Sequence, residues 1–178
     1  MVRTKSVHKS DQHNAKIDAI DQKILLNLQA NGRITNSELA KRVGLSPAPT
    51  LERVKKLERQ GVITGYQARL DPGMVGVGIQ TFVEVTLARH GHDIIFEFIK
   101  ATKDIPEIIG CYYVTGRADF LLRVAARDMK DYENFLLHKL TTIPNIQHVE
   151  TMIMLSNFKE QIQFPIALSD KLNGRNSS

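Results

Sequence analysis

The sequence contains one cysteine and no tryptophan among its 178 residues. A single thiol cannot form an internal disulfide, so a secreted disulfide scaffold and a cysteine-rich zinc site are excluded. A reducing cytoplasm is the compartment that fits this usage. Long apolar runs are lacking as well, and no stretch approaches the roughly 20 residues that span a bilayer. We therefore expect a cytoplasmic protein with no membrane segment.

The chain is too short for a large catalytic barrel and fits one medium domain or two small ones. Its hydrophobic content of 42% and charged content of 24% are typical of a globular protein. The charge is uneven, because residues 1–70 hold 13 Lys and Arg against 6 Asp and Glu, while the remainder holds 11 against 13. A basic first part favours a polyanionic partner; a merely solvated basic surface is the alternative.

Start and stop signals predict three short helices in the first part of the chain. Apolar residues at helical spacing place the first helix over 18–29. Thr35 is positioned to cap the second helix, with Glu38 three residues later, and Gly44 is suited to ending it. Ser46 offers a cap for the third helix, which runs to about Gly61. This pattern predicts a helix-turn-helix.

The third helix is predicted to be the recognition helix. Leu51, Val54 and Leu57 form an apolar stripe that should face the core. The opposite face carries Pro49, Glu52, Arg53, Lys56 and Arg59, with Lys55 at its margin. An exposed helix with such cations suits a DNA major groove, and residues 62–70 should form a strand that acts as a wing. A three-helix bundle with a soluble basic helix is the alternative.

The second half repeats one supersecondary unit. The sequence IPEI at 105–108 recurs as IPNI at 143–146, each time between an amphipathic helix and an apolar strand. Strands are predicted over 79–87, 108–114, 120–126 and 149–155, and helices over 93–102 and 129–140. The fold class is therefore α+β: a winged helix-turn-helix followed by a βαββαβ ferredoxin-like domain with both helices on one sheet face.

Strand alternation indicates what covers the second sheet face. The residues expected to face the helices are Val83, Val85, Leu122, Val124, Thr151, Ile153 and Leu155. The opposite face then presents Phe82, Leu121, Met152 and Met154, with Glu84, Arg123 and Glu150 as its polar members. A contiguous apolar face on a globular protein marks an interface, so we expect two copies to pair through it as a homodimer.

These signals divide the chain into five segments. We expect a flexible basic arm at 1–15, a winged helix-turn-helix domain at 16–70 and a linker at 71–78. A dimerisation and effector-sensing domain should follow at 79–165, and a tail at 166–178.

Over residues 16–165 the chain resembles the Lrp/AsnC (leucine-responsive/asparagine regulator, feast/famine) family of transcription factors, whose C-terminal domain is of the RAM/ACT-like type. The resemblance lies in IDAIDQKIL at 17–25, GRI at 32–34, ELA at 38–40, VGLSP at 43–47 and LERV at 51–54. It implies a DNA-binding transcriptional regulator that pairs through its sheets, assembles into octamers of four dimers and responds to an amino acid.

The resemblance also implies which residues meet double-stranded DNA. Ser46, Ala48, Pro49 and Thr50 lie where the helix tip approaches base edges, and Arg53, Lys56 and Arg59 lie where phosphates are met. Ala48 and Pro49 have no hydrogen-bonding side chain. We therefore expect DNA deformability to supply much of the sequence selectivity.

The effector-binding residues implied by the resemblance fall in two places. One is the turn Gly116, Arg117, Ala118 and Asp119; the other comprises Met152, Met154 and Ser156. The glycine turn could offer N–H groups to a carboxylate, and Asp119 could accept from an ammonium group. Related regulators have an acidic and then an aromatic residue where this chain has Arg117 and Ala118. Arg117 either binds an acidic ligand or pairs with a surface carboxylate, and a plain β-hairpin is the alternative for this turn.

Two other function classes stay open on the sequence alone. One is an architectural DNA-binding protein that needs no effector; the other is an enzyme subunit like the siroheme decarboxylases, which share the fold. The six histidines form no metal-spaced cluster apart from His90 and His92, and Cys111 has no His or Asp beside it in sequence. We therefore expect no enzyme activity, no cofactor and no metal site.

Overall fold

The computed structural model describes residues 17–89, 91–159 and 163–166. The described residues divide into an N-terminal unit, residues 17–68 with 163–166, and a sheet unit, residues 69–89 with 91–159. The second domain was predicted to end at residue 165; in the structure, Ile166 packs against the apolar core of the N-terminal unit and the segment before it contacts that unit. The predicted arm at 1–15, and the predicted tail beyond Ile166, lie outside the described residues.

The N-terminal unit contains α1 (Ala19–Ala30), α2 (Asn36–Val43) and α3 (Pro47–Arg59). The predicted helix-turn-helix is thereby confirmed. The side chain of Thr35 accepts from the N–H of Glu38 at 3.2 Å, as its capping role requires. Gly44 ends α2 with φ of 77°, a left-handed conformation that glycine adopts without strain.

The core of this unit shows that α3 is rotated relative to the sequence prediction. The buried apolar residues are Ile24, Leu25, Leu39, Val43 and Leu57. Leu51, which was expected to face this core, is 41% exposed, while its neighbour Thr50 is fully buried. Thr50 can be buried because its hydroxyl donates to the carbonyl of Ser46 at 2.9 Å.

The strand predicted over 62–70 was wrong, because this segment has no regular secondary structure. Val62 and Ile63 pack against the core of the N-terminal unit instead. Tyr66 lies beside Gly32, and its hydroxyl donates to Glu58 at 3.0 Å. Side-chain packing, rather than pairing with another strand, therefore holds this segment.

The sheet unit has the predicted βαββαβ order. Its strands are β1 (Ile79–Leu87), β2 (Ile108–Tyr113), β3 (Phe120–Ala126) and β4 (Ile146–Ile153), and they form one antiparallel sheet in the order β2-β3-β1-β4. Helix α4 (His92–Lys103) follows β1. Helix α5 (Met129–Phe135) follows β3 and continues as a π-helical turn, Leu136–Leu140. A 3-10 turn, Gly73–Val75, lies in the linker.

Strand β4 differs from its predicted bounds of 149–155. It begins at Ile146, because Leu87 pairs with that residue beyond a bulge in the β1–β4 ladder. Ile153 lies opposite the buried Thr81 and so is on the helix-covered face as predicted, although it is 48% exposed at the strand end. Leu155 lies beyond the end of β4 and is 92% exposed, so the prediction that it faces the helices was wrong.

The helices cover one face of the sheet and leave the other open. Phe98, Phe120 and Phe135 are buried in the covered side together with the predicted Val83, Val85, Leu122 and Val124. Thr151 also faces the helices, since its hydroxyl lies 2.5 Å from that of Tyr132 on α5. The open face presents Phe82 and Leu121, both half-buried, and Met152, which is 37% exposed. Within the described ranges, no helix is both long and apolar enough to cross a membrane.

Candidate nucleic-acid interface and effector site

The start of α3 forms an exposed tip. Ser46, Ala48 and Pro49 are all exposed there, and Pro47 occupies the first turn, where a missing N–H costs nothing. The side-chain amide of Asn36, the first residue of α2, donates to the Pro47 carbonyl at 2.8 Å and so links the starts of α2 and α3. Ser46 occupies the N-cap position, but its side chain makes no capping bond among the described residues.

One residue predicted at this tip does not belong to it. Thr50, which was predicted to approach base edges, is fully buried, and its hydroxyl is bonded to the Ser46 carbonyl. A helix with 3.6 residues per turn cannot present every residue of its first turn outward. The exposed tip consists of Ser46, Ala48 and Pro49.

Two of the predicted phosphate-binding cations are engaged by acidic residues of α1. Nη1 of Arg53 lies 2.7 Å from Oδ2 of Asp18 and 2.8 Å from Oδ1 of Asp21. Nζ of Lys56 lies 3.6 Å from Oδ2 of Asp21, whose side chain is fully buried. The sequence prediction had placed Asp18 and Asp21 only as partners of the helix dipole.

In the cluster formed by Asp18, Asp21, Arg53 and Lys56, opposite charges stabilise the ionised forms of Asp18 and Arg53. Burial alone would raise the pKa of Asp18, but the N–H of Asp21 and the guanidinium of Arg53 outweigh it and hold the pKa below its usual value. The hydrogen bonds to Asp18 and Asp21 raise the pKa of Arg53 in turn. Both shifts favour the charged forms of Asp18 and Arg53.

The outer face of α3 presents different residues. Lys55 and Arg59 are exposed, and Lys55 lies 3.4 Å from Oε1 of Glu52. A shallow depression beside this face is lined by Asp18, Pro49, Glu52, Arg53, Lys56 and Arg59. The surface that can meet a polyanion thus contains the exposed tip together with Arg59 and the partly exposed Lys56.

In the sheet unit, the turn between β2 and β3 is tied to the open face. Nε of Arg117 lies 2.7 Å from Oε2 of Glu84, and Nη2 lies 3.4 Å from Oε1 of Glu150. Glu84 and Glu150 are direct partners across β1 and β4. The hydrogen bond to Glu84 raises the pKa of Arg117, with the charge of Glu150 adding to it. Of the two roles left open for Arg117, pairing with surface carboxylates is the one observed.

The remaining turn residues close the hairpin onto β1. Oδ2 of Asp119 accepts from the N–H of Leu87 at 2.8 Å, and the N–H of Asp119 donates to the Val85 carbonyl at 3.0 Å. Ala118 is buried, and Gly116 has φ of 134°, which disfavours a side chain at that position. The Asp119 carboxylate, which was expected to accept from an ammonium group, already accepts from the N–H of Leu87 at the end of β1.

The second group of predicted effector residues lies elsewhere in the sheet unit. The N–H of Met154 donates to the Gln80 carbonyl at 2.9 Å, which places Met154 and Ser156 near the start of β1. The turn contacts β1 at Val85, which is five residues beyond Gln80. At the usual rise of an extended strand, this separation is about 17 Å. Met152 lies between the two, opposite Phe82. Within one chain, Met154 and Ser156 therefore lie apart from the turn, whereas Met152 is two residues from Glu150, which Arg117 contacts.

Cys111 and the His, Asp and Glu side chains are the groups that bear on metal or nucleophilic chemistry. No group of three or more His, Cys, Asp or Glu is placed there to hold a metal ion. Burial raises the pKa of the Cys111 thiol, despite a contact with the Thr102 hydroxyl at 3.8 Å, and a raised pKa makes a poor nucleophile at neutral pH.

A helix-turn-helix with an exposed, cation-bearing third helix, joined to a βαββαβ domain with an open sheet face, defines a two-domain DNA-binding regulator. Two family models match the chain: Winged helix-turn-helix DNA-binding over residues 17–64, and Lrp/AsnC ligand binding domain over residues 80–164. The chain belongs to the Lrp/AsnC family of transcriptional regulators.

Individual relatives agree with this assignment. The leucine-responsive regulatory protein of Haemophilus influenzae is 41% identical over 88% of this chain and 95% of its own length. A transcriptional regulator of Neisseria meningitidis, solved as its L-Met complex, is 37% identical with a TM-score of 0.79, covering 83% of this chain and 96% of that one. A feast or famine regulatory protein of M. tuberculosis complexed with L-methionine is 33% identical with a TM-score of 0.74, covering 83% and 98%.

Proposed function

We propose that this protein regulates transcription by binding duplex DNA as a homodimer, through the tip and outer face of α3, in response to a neutral amino acid. The observation that carries the DNA-binding part is the exposed N-terminus of α3. Ser46, Ala48 and Pro49 are free of the core there, while Thr50 and Leu57 hold the helix on its other side. A supported helix with an exposed tip is what a major groove admits.

The division of roles along α3 follows from its exposed residues. Arg59 and Lys56 supply positive charge for phosphates, which anchors the protein without specifying sequence. The tip offers one hydroxyl and two groups without hydrogen-bonding side chains. Base readout is therefore limited, and DNA shape supplies much of the selectivity.

The open sheet face supports pairing of two copies. Phe82 and Met152 are direct partners on it, and Leu121 lies opposite Glu84, next to the Glu84, Arg117 and Glu150 cluster. Burying such a face between two identical sheets removes it from water, and a two-fold dimer presents two recognition helices to two half-sites. Assembly of four dimers into an octamer is the further step that the family resemblance implies.

The effector is proposed to be a neutral amino acid. Met154 and Ser156 lie apart from the turn along β1, so a site that includes them and the turn needs contributions from more than one copy. Arg117 is engaged by Glu84 and Glu150, which disfavours recruitment of an acidic side chain by its guanidinium. Relatives are named for leucine or were solved with methionine. Leucine and methionine are therefore the ligands to test first. A regulator of this kind acts in the cytoplasm and is not an enzyme.

Footprinting of a duplex recovered by in vitro selection tests the DNA and effector parts together. We expect protected half-sites spaced by about one helical turn, roughly 34 to 36 Å, and a changed protection pattern when leucine or methionine is added. Failure to select any duplex would overturn the proposal. Protection that no amino acid alters, together with no heat in calorimetric titrations, would favour an architectural protein.

Sedimentation equilibrium tests the pairing of sheet faces. Phe82→Glu places a charge on the open face and should shift the protein towards monomer. Phe96→Glu is the matched control, because Phe96 is an exposed aromatic residue of α4 on the covered side of the sheet. Equal dissociation by both variants, or by neither, would contradict pairing through the open face.

A further inference from the structure

Arg53 of α3 is held by two carboxylates at the start of α1. Its Nη1 donates to Asp18 at 2.7 Å and to Asp21 at 2.8 Å. Asp21 is fully buried, whereas the Asp18 side chain is 49% exposed. Because one nitrogen serves both carboxylates, the guanidinium has little freedom to move without breaking both bonds.

Both carboxylates make further hydrogen bonds or ion pairs that keep them in place. Oδ1 of Asp18 accepts from the N–H groups of Ile20 and Asp21, which caps α1. Oδ2 of Asp21 lies 3.4 Å from the N–H of Asp18 and 3.6 Å from Nζ of Lys56. Arg53 and Lys56 are three residues apart on α3, so two contacts one turn apart fix the rotation of α3 against α1.

We propose that Arg53 is a positioning residue for DNA recognition, which sets the rotation of α3 so that the exposed tip and Arg59 face the duplex, and that it does not itself bind a phosphate. This role rests on the DNA binding proposed above. It departs from the family resemblance, which places Arg53 among the phosphate contacts.

The burial of Asp21 is the physical reason for this assignment. If Arg53 turned outward to a phosphate, Asp21 would lose its closest cation and keep only the longer contact with Lys56 at 3.6 Å. Weakening the pairing of a fully buried carboxylate costs more than a screened surface contact contributes. Arg59, about three turns from the tip, is exposed and can approach a phosphate without breaking any such contact.

Neutralising the carboxylates separates the two roles, because they predict opposite signs. Asp21→Asn and Asp18→Asn each remove one negative charge, and Asn at position 18 still caps a helix. If Arg53 positions α3, both variants weaken binding to the selected duplex, by about tenfold, comparable with the loss of one good base contact. If Arg53 is a phosphate contact held back by Asp18 and Asp21, both variants tighten binding.

Glu52→Gln is the matched control for charge. Glu52 is exposed on α3 itself and contacts Lys55, so its neutralisation adds the same net positive charge without touching α1. We expect it to tighten binding slightly. Weakening by Asp21→Asn and Asp18→Asn beside tightening by Glu52→Gln supports the positioning role; tightening by all three overturns it.

The salt dependence of binding gives a second readout that loss of stability alone would not change. Arg59→Gln should reduce the slope of log K against log salt by about 0.9 for each phosphate that the variant no longer neutralises. Arg53→Gln should leave the slope unchanged and lower the ratio of affinities for the selected and a scrambled duplex. The measurements are made at a temperature at which circular dichroism shows each full-length variant folded.

Each remaining outcome also decides the question. A slope reduced by Arg53→Gln as much as by Arg59→Gln would show a phosphate contact and overturn the positioning role. If Arg53→Gln does not fold, the sign of the Asp18→Asn effect decides. If the wild type selects no duplex, the proposed DNA binding fails. If the wild type binds normally and Arg53→Gln reduces the salt slope as much as Arg59→Gln does, only the positioning role is refuted.

Discussion

The side-chain amide of Gln29 forms two hydrogen bonds with the backbone of Phe164, although 135 residues separate them in sequence. Oε1 accepts from the Phe164 N–H at 2.7 Å, and Nε2 donates to its carbonyl at 3.2 Å. The Gln163 side chain donates to the Gln29 carbonyl at 3.0 Å, and Ile166 packs on the nearby core. The segment after the sheet unit is thus part of the N-terminal unit.

Gln29→Ala should loosen the end of α1. It removes two exposed hydrogen bonds, so we expect a loss of about 1 kcal/mol in the opening free energy of this region. Faster hydrogen exchange of the last α1 amides would report it. Gln60→Ala, at an exposed position after α3, is the control and should change nothing. Unchanged α1 exchange in Gln29→Ala would show that this contact contributes no stability.

The phenol of Tyr66 should lose its proton at a higher pH than an ordinary tyrosine does. Burial, followed by the hydrogen bond to Glu58, raises the pKa of Tyr66 to about 12 from the ordinary 10.0. The protonated phenol is favoured in the folded state, so its stabilising contribution is complete below pH 10 and is lost between about pH 10 and 12. The difference in absorbance at 295 nm between wild type and Tyr66→Phe should therefore develop near pH 12. A difference that develops near pH 10 would contradict the contact.

Arg117→Met should destabilise the sheet unit slightly. It leaves Glu84 and Glu150 facing each other across β1 and β4 without the cation between them, and like charges directly opposite repel. The expected effect is a small fall in melting temperature that Glu84→Gln reverses in the double variant. An additive double variant would show that Arg117 does not relieve this repulsion.

Thr50→Val tests the burial of Thr50. It keeps the shape of the side chain but removes the bond to the Ser46 carbonyl, so we expect about 1 kcal/mol less stability in the N-terminal unit. Thr64→Val, at an exposed position, serves as the control. The ratio of specific to non-specific DNA affinity should stay the same. A tenfold fall in that ratio would instead indicate a base contact.

Local signals located most of the elements correctly because their causes lie within a few residues. Gly44 ends α2, Asp128 caps α5 by accepting from the N–H of Asp131, and alternation places Val83 and Val85 on the covered face. The strand predicted over 62–70 was wrong because β-propensity has no effect without a partner strand. Tyr66 and its neighbours instead found packing partners in the N-terminal unit.

The sequence by itself determined the two-unit organisation, the helix-turn-helix, the βαββαβ order and the open apolar face, since each follows from periodicity and caps within short windows. Tertiary structure alone decided that α3 buries Thr50 rather than Leu51, that Arg53 contacts Asp18 and Asp21, and that Arg117 joins Glu84 to Glu150. The residues that Arg53 and Arg117 contact lie more than 30 residues from them in sequence. Their contacts depend on the rotation and register that packing selects, which no local pattern encodes.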